Sequence, residues 1–258
     1  MTNTTAARDG TSPPTAAKAR WLARAGTLVT LGLLLPATLR PCLTLHPTRA
    51  GVVCAALFAG AGLVGFLLAT ALWNRALLRG RLRGELVRGN LAAGVVAAAH
   101  AAATGIVAAH AFVADTPATL PIGAIFFVVS VLSLVLLSLL FRGLTSYSDE
   151  QEILGENLAA ATSYSGLVIA LSIIVGHAAD GAFVGWLPAM HSFGVFLLWA
   201  FLLYPVRQIV VGRWLLGFPL TLRGGALDRA IAQDHDWVVS CVEAAGYIAA
   251  ALLATGIS

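Results

Sequence analysis

Glu243 is the residue in this 258-residue chain with the strongest claim to chemistry. It lies seven positions after Asp236, inside the apolar run 237–257, about 10 Å along a helix that rises about 1.5 Å per residue. An acid at the centre of a membrane-crossing helix costs about 2.5–3.5 kcal/mol on insertion scales, so such residues face the protein interior or a polar cavity. Helical spacing puts Ser240, Gly246 and Tyr247 on its face. Two readings follow. In one, Glu243 is a protonated side chain bonded to Tyr247 or a neighbouring span, and it only fixes helix packing. In the other, it lines a polar path with Ser240 and Tyr247 and exchanges protons there.

A second polar patch, Thr162-Ser163-Tyr164-Ser165-Gly166, sits inside the apolar run 158–178. It serves either interhelical hydrogen bonding or the same path, with Ser163 and Tyr164 as the candidates. The stretch ahead of that run is acidic. Ser148 and Gln151 have capping-box spacing, and Asp149, Glu150 and Glu152 place negative charge where a helix dipole favours it. A helix is therefore predicted to start at Ser148 and continue into the apolar run. Glu152, Glu156 and Asn157 then stand at its start, as candidates for the mouth of the path. The bland alternative for Asn157 and for Asn90 is that they satisfy free backbone donors or bond to the next helical unit. His110 and His177 fall about 30 Å from those asparagines and read as solvated anchors at the opposite membrane face, with His191 near them. No ligand spacing supports a metal, and no cofactor is expected. The chain contains no Walker loop, GxSxG, HExxH or paired His/Cys ligands, so a non-enzymatic role is expected.

These residues need elements to hold them, and composition says which kind. Hydrophobic residues make up 59% and charged residues 11%, against about 25% charged in soluble domains. A water-facing surface cannot be built from that. The net charge of +4 comes from basic residues at the ends of apolar runs, which points to membrane topology and the lipid bilayer rather than nucleic acid. The expected fold is all-α, a polytopic helical membrane protein of about seven spans. The spans are predicted at residues 25–39, 51–73, 90–113, 119–141, 158–178, 190–211 and 237–257. Residues 1–20 read as a disordered, cytoplasmic N-terminus, and 21–45 as a first span like a retained signal anchor. That run is short for a crossing. Pro205 is expected to kink the end of its span.

The connections 74–88, 142–152 and 207–235 hold five, one and four basic residues, whereas 114–118 and 179–188 hold none. The positive-inside rule therefore puts the basic connections and the N-terminus in the cytoplasm and the C-terminus outside, across a bacterial cytoplasmic (inner) membrane. Arg75, Arg79, Arg81, Arg83 and Arg88 are candidate contacts for anionic lipid headgroups.

Shifting the acidic stretch back by 67 positions aligns Arg142 with Arg75, Glu152 with Glu85, Asn157 with Asn90, and His177 with His110. A fixed offset marks an internal repeat, with Glu85 and Asn90 equivalent to Glu152 and Asn157. Each unit is a pair of spans, so successive units are parallel. The units are 51–113 and a four-span core, 118–258. A looser third copy, 190–257, has Arg207 at the end of its first span, as Arg75 and Arg142 are at the ends of theirs, and His235-Asp236-Trp237-Val238-Val239 in the place of the Asn entry, with the Asn lost and a longer connection.

The acidic loop, the pattern Glu-x-x-x-(Gly/Glu)-Asn-x-Ala-x-Ala and a Gly nine residues after the Asn (Asn157 to Gly166) resemble the bacterial membrane family called domain of unknown function 350. The resemblance implies tandem two-span units, with 119–257 as the core. Glu156 stands where the family has Gly. No activity comes with the resemblance. Two functional expectations stand: a small proton or ion transporter or channel using Glu243, and a non-enzymatic membrane scaffold or envelope-maintenance component. Small-residue faces such as Ala61, Gly65 and Ala69 suit a homo-oligomer or binding to other membrane proteins.

Overall fold

The structure is a computed structural model and describes residues 14–45, 49–78, 80–113, 116–181, 183–221 and 223–256. Ten helices organise these residues: α1 (Pro14–Leu45), α2 (Arg49–Leu78), α3 (Leu82–Arg88), α4 (Leu91–Ala111), α5 (Leu120–Leu144), α6 (Asp149–Leu154), α7 (Leu158–Ala178), α8 (Trp186–Leu215), α9 (Ala226–Ala232) and α10 (Trp237–Gly256). Seven of them, all but the short α3, α6 and α9, are long and apolar enough to cross a membrane. The protein is an all-α polytopic membrane protein.

Four long helices form a row, with α1 against α4, α4 against α7, and α7 against α10. All four run parallel. Ala16 lies by Gly89 and Thr30 by Gly105, and His100 meets Tyr164, as Ser163 meets Glu243 further along the row. Small residues permit this close approach. A Cβ on Gly26 would lie 2.5 Å from the Ala98 Cα, and one on Gly166 would lie 2.4 Å from the Ala244 Cα. With backbones so close, Thr30 Oγ1 donates to the Ala101 carbonyl at 2.6 Å as well as to its own turn at Gly26. The returning helices α2, α5 and α8 pack on the row as a second layer. Their outer faces expose Leu63, Leu67, Leu132, Leu136, Leu187 and Leu198, as lipid-facing helices do.

Three features depart from the sequence expectations. Residues 14–20, assigned to a disordered segment, are the first turns of α1. Ala16 and Ala19 are fully buried there against Gly89 and Gly94, a tertiary gain that local polarity does not reveal. Residues 1–13 lie outside the described residues. The helix capped by Ser148, whose Oγ accepts from the Gln151 N–H at 3.4 Å, stops at Leu154 instead of running into the span. A turn follows with Glu156 at φ 66, and Asn157 caps a new helix. Finally, α8 keeps helical backbone throughout but changes its hydrogen-bond ladder along its length. It is α-helical over Trp186–Ala200, re-forms as one turn at Leu203–Pro205, and continues as a wide π-helix over Val206–Leu215. Pro205 supplies no N–H there, and the widened turns bury Arg207.

Candidate functional site

Each of α4 and α7 begins with the same device. Asn90 has extended backbone, and its Oδ1 accepts from the Ala93 N–H at 3.0 Å. Its Nδ2 donates to Glu85 Oε2 at 3.0 Å and to the Ile153 carbonyl on α6 at 2.8 Å. Asn157 repeats the pattern, accepting from Ala160 N–H at 3.1 Å and donating to Glu152 Oε2 at 2.8 Å and the Ile231 carbonyl on α9 at 2.9 Å. One side chain thereby caps its own helix and holds the short helix that precedes the next helix of the row. The residue before each cap is left-handed: Gly89 at φ 92, Glu156 at φ 66 and His235 at φ 55. This conformation closes the short helix through Asn90 N–H to the Glu85 carbonyl and Asn157 N–H to the Glu152 carbonyl. Asp236 takes the cap position of α10, with Oδ1 accepting from Val238 and Val239 N–H at 2.9 and 3.0 Å.

Above these caps lies a buried ionic cluster. Glu243 is 0% exposed. Its Oε2 accepts from Ser163 Oγ at 2.6 Å, its Oε1 accepts from Tyr247 Oη at 3.4 Å, and Arg207 Nε donates to Oε1. The Arg207 guanidinium also pairs with Asp228, whose Oδ2 accepts from Ser146 N–H and Oγ at 2.7 and 2.8 Å. Beside it, Arg142 Nε meets Asp149 Oδ2 at 3.3 Å, and the Arg142 guanidinium carbon stands 5.9 Å from the centre of the Tyr164 ring.

A cavity of about 20 Å³ separates the two arginines. All four tyrosines of the chain line it, Tyr147, Tyr164, Tyr204 and Tyr247, together with Arg142, Asp149, Ser163, Arg207 and Glu243. That volume suits one water molecule, and the lining offers it ample hydrogen-bond partners. Asp149 and Tyr147 stand outside the spans. Burial pushes the Asp149 carboxyl up to about 6, against the opposing pull of Arg142. Burial, then the Asp149 and Glu243 carboxylates, raise the Tyr147 phenol well above its ordinary value.

The sequence-derived candidates thus divide. Glu243, Tyr247, Ser163 and Tyr164 come together. Ser240 does not join them, because its Oγ donates to the Trp237 carbonyl. Glu152, Glu156 and Asn157 do not line the cavity. Glu152 and Asn157 are spent on the cap, and Glu156 is a surface residue 3.6 Å from Arg88. Arg88 also pairs with Glu85 at 3.1 Å. Arg75 and Arg81 are exposed, and Arg79 lies outside the described residues.

Three central members were missed: Arg207, Asp228 and Asp149. Each reads in sequence as a loop or flanking charge, and only the π-helix of α8 and the inward turn of α6 and α9 bury them. The ionic partner of Glu243 is Arg207. His100 was missed as well, although a lone imidazole in the middle of an Ala-rich span is a visible signal.

At the opposite end of the bundle, His110 and His177 are not lone anchors. His110 Nδ1 lies 2.8 Å and His177 Nδ1 3.2 Å from Asp180, and the two rings stand edge-on, 6.5 Å apart. A cavity of about 810 Å³ opens beside them, lined by His110, Thr119, Phe126, Asp180, Phe183 and Ser192 among others. His191 is exposed on α8. Among the described residues no group of three or more His, Cys, Asp or Glu is arranged to hold a metal ion.

Seven membrane-span-like helices and a fully buried arginine–carboxylate cluster define a multi-pass membrane protein with an ionic interior. The family model described as Domain of Unknown Function (DUF350) matches residues 115–257, more than half of the chain, and the chain belongs to that family. The match takes in the whole cluster, Arg142 to Glu243, and leaves α1 to α4 outside. No curated protein and no solved structure matches the chain.

Proposed function

We propose that this protein carries protons or small ions across the membrane along the row of parallel helices, with Arg207 closing the path between Glu243 and Asp228. The observation that carries this reading is Glu243 itself, fully buried seven residues into its span and lining a cavity shared with arginine, aspartate, serine and tyrosine side chains. Intramembrane ionisable groups mark ion pathways and proton relays. Asp149, buried at the loop end of the same cavity, replaces Glu152 and Glu156 as the group through which protons enter. The 810 Å³ cavity beside His110 and Asp180 forms the other mouth. The test is flux of protons or cations in liposomes with Glu243 intact and with Glu243→Gln. A Gln variant that folds and conducts like the wild type removes Glu243 from the mechanism.

A second reading, a non-enzymatic scaffold that oligomerises or binds other membrane proteins, draws on the cavity's small size. At about 20 Å³, with Arg207 paired to two carboxylates, the cluster could serve as an ionic rivet between α7, α8, α9 and α10. Absence of flux in both wild type and variant favours it.

The reading includes a repeated unit. Besides the offset of 67 that relates Asn90 to Asn157, one offset of 79 relates Asp149, Asn157 and Tyr164 to Asp228, Asp236 and Glu243. On this reading the Arg142–Asp149 pair with Tyr164 and the Arg207–Asp228 pair with Glu243 are two versions of one site. The proposed location is the bacterial cytoplasmic membrane, with the arginine-bearing connections and N-terminus inside. A cysteine placed at Arg81 should react with an impermeant thiol reagent only in permeabilised cells, and one at Val184 should react in intact cells.

A further inference from the structure

We propose that His100 is a relay residue, passing protons between the Glu243 cavity and the far half of the bundle through the Tyr164 hydroxyl; this rests on the path reading above. His100 is 3% exposed in the middle of α4, and its Nε2 lies 2.9 Å from Tyr164 Oη. Tyr164 in turn lines the cavity that holds Glu243, so one hydroxyl joins the imidazole to the cluster.

His100 also lies further along the path than Glu243. It stands ten positions after the cap at Asn90, whereas Tyr164 and Glu243 each stand seven after theirs. At about 1.5 Å per residue this sets His100 one further step, about 4.5 Å, toward the mouth at His110.

The ring is built for more than packing. A histidine kept to anchor Tyr164 needs one bonded nitrogen. Here Nδ1 is buried without a partner, and so is the Nε1–H of Trp73, whose ring stacks on the imidazole at 4.3 Å and 15°. Two unpartnered polar atoms on stacked rings at hydrocarbon depth are a cost that a packing residue does not carry. Among the described residues the aromatic and side-chain polar contacts of this ring are Trp73 and Tyr164, neither of them an anion, so the ring works by exchange of tautomers without resident charge.

The step balances. The Tyr164 O–H bond breaks as an N–H bond forms at Nε2, the phenol oxygen takes a replacement proton from the cavity side, and Nδ1 gives its own proton to a water molecule on the far side, which leaves as hydronium. Rotation of the side chain then turns the bare Nδ1 toward Tyr164 and Nε2–H toward the far half; a second transfer puts a proton on Nδ1 as Nε2 releases its own, and rotation back completes the cycle.

The experiment uses the full chain in liposomes, with an internal pH dye and an imposed potential, comparing wild type, Glu243→Gln and His100→Gln. The expected result is proton flux in the wild type and at least a tenfold loss in both variants. Wild-type flux in a folded His100→Gln protein, with Glu243→Gln silent, overturns the relay and leaves the path standing. A second readout decides the case where the wild type carries no flux or His100→Gln fails to fold. Nitrogen-15 spectra of labelled histidine should show both tautomers of His100 in exchange, collapsing to one in Tyr164→Phe. A single tautomer that is unmoved by Tyr164→Phe overturns the proposal.

Discussion

Replacing Arg207 by Met tests the ionic cluster most directly, because Met keeps a flexible stem and removes only the guanidinium. Arg207 and Asp228 are 2% exposed and Glu243 is 0% exposed, so both carboxylates lose their cation without gaining water. Asp228 retains Ser146, and Glu243 retains Ser163 and Tyr247, but neither retains a positive charge. Breaking one side of a buried ion pair costs about 3–5 kcal/mol, since it leaves an uncompensated charge behind. With about 2–4 °C of melting temperature per kcal/mol for a chain of this size, Arg207→Met should melt about 10 °C below the wild type in detergent. The combined Arg207→Met, Glu243→Met protein should recover part of that loss, because a buried pair exchanged for apolar residues is often neutral. Thermal melts of the four proteins of this cycle measure the coupling. A single variant within about 2 °C of the wild type, or a double variant as unstable as the sum of the two, refutes the reasoning.

The remaining predictions concern the helix starts. Asn157→Asp keeps the capping oxygen but loses both donated bonds and faces Glu152, so it should destabilise about as much as Asn157→Ala, by about 2 kcal/mol; a harmless Asp variant in thermal melts would sink the bridging role. Glu156→Gly relieves a left-handed residue at φ 66 and gives up only an exposed pair with Arg88, so it should gain about 1 kcal/mol, read as a rise of a few degrees in the same melts. Asp149 has a folded-state pKa of about 6 against 3.8, which means its contribution to stability is full below about pH 4 and is lost as pH rises through 6. The melting difference between wild type and Asp149→Asn should therefore shift against the wild type between pH 4 and 7, by about 3 kcal/mol, and a pH-independent difference would count against the burial described.

The spans were legible because apolar runs of membrane length declare themselves, and Asn90 and Asn157 stood out through their spacing. What they bind did not. An amide reaching Ile153 or Ile231 depends on backbone carbonyls, which carry no sequence signature. The acid Glu243 was legible for the same energetic reason that makes it costly. Its partner Arg207 was masked by topology, because an arginine at the end of a span is what the positive-inside rule expects, and the π-helical widening after Pro205 leaves no periodic mark. Glu152 looked like a path residue because acids at a helix start draw attention. Its neighbour Asp149 has the same chemistry, and only the turn of α6 decides which of the two faces inward.

The asparagine bridges have a direction. Asn90 reaches forward in the chain to Ile153, and Asn157 reaches forward to Ile231; in each case the acceptor is made after the donor. A membrane protein is synthesised from its N-terminus, and early parts fold as units before later ones emerge. Each new helix pair therefore arrives beside an amide already fixed in place by its own cap, and biogenesis proceeds as a sequence of dockings onto finished surfaces. Asp236 holds the same capping position on α10 but has no N–H to extend. On α10 the cap has exchanged its amide for a carboxylate, and the forward bridge goes with it.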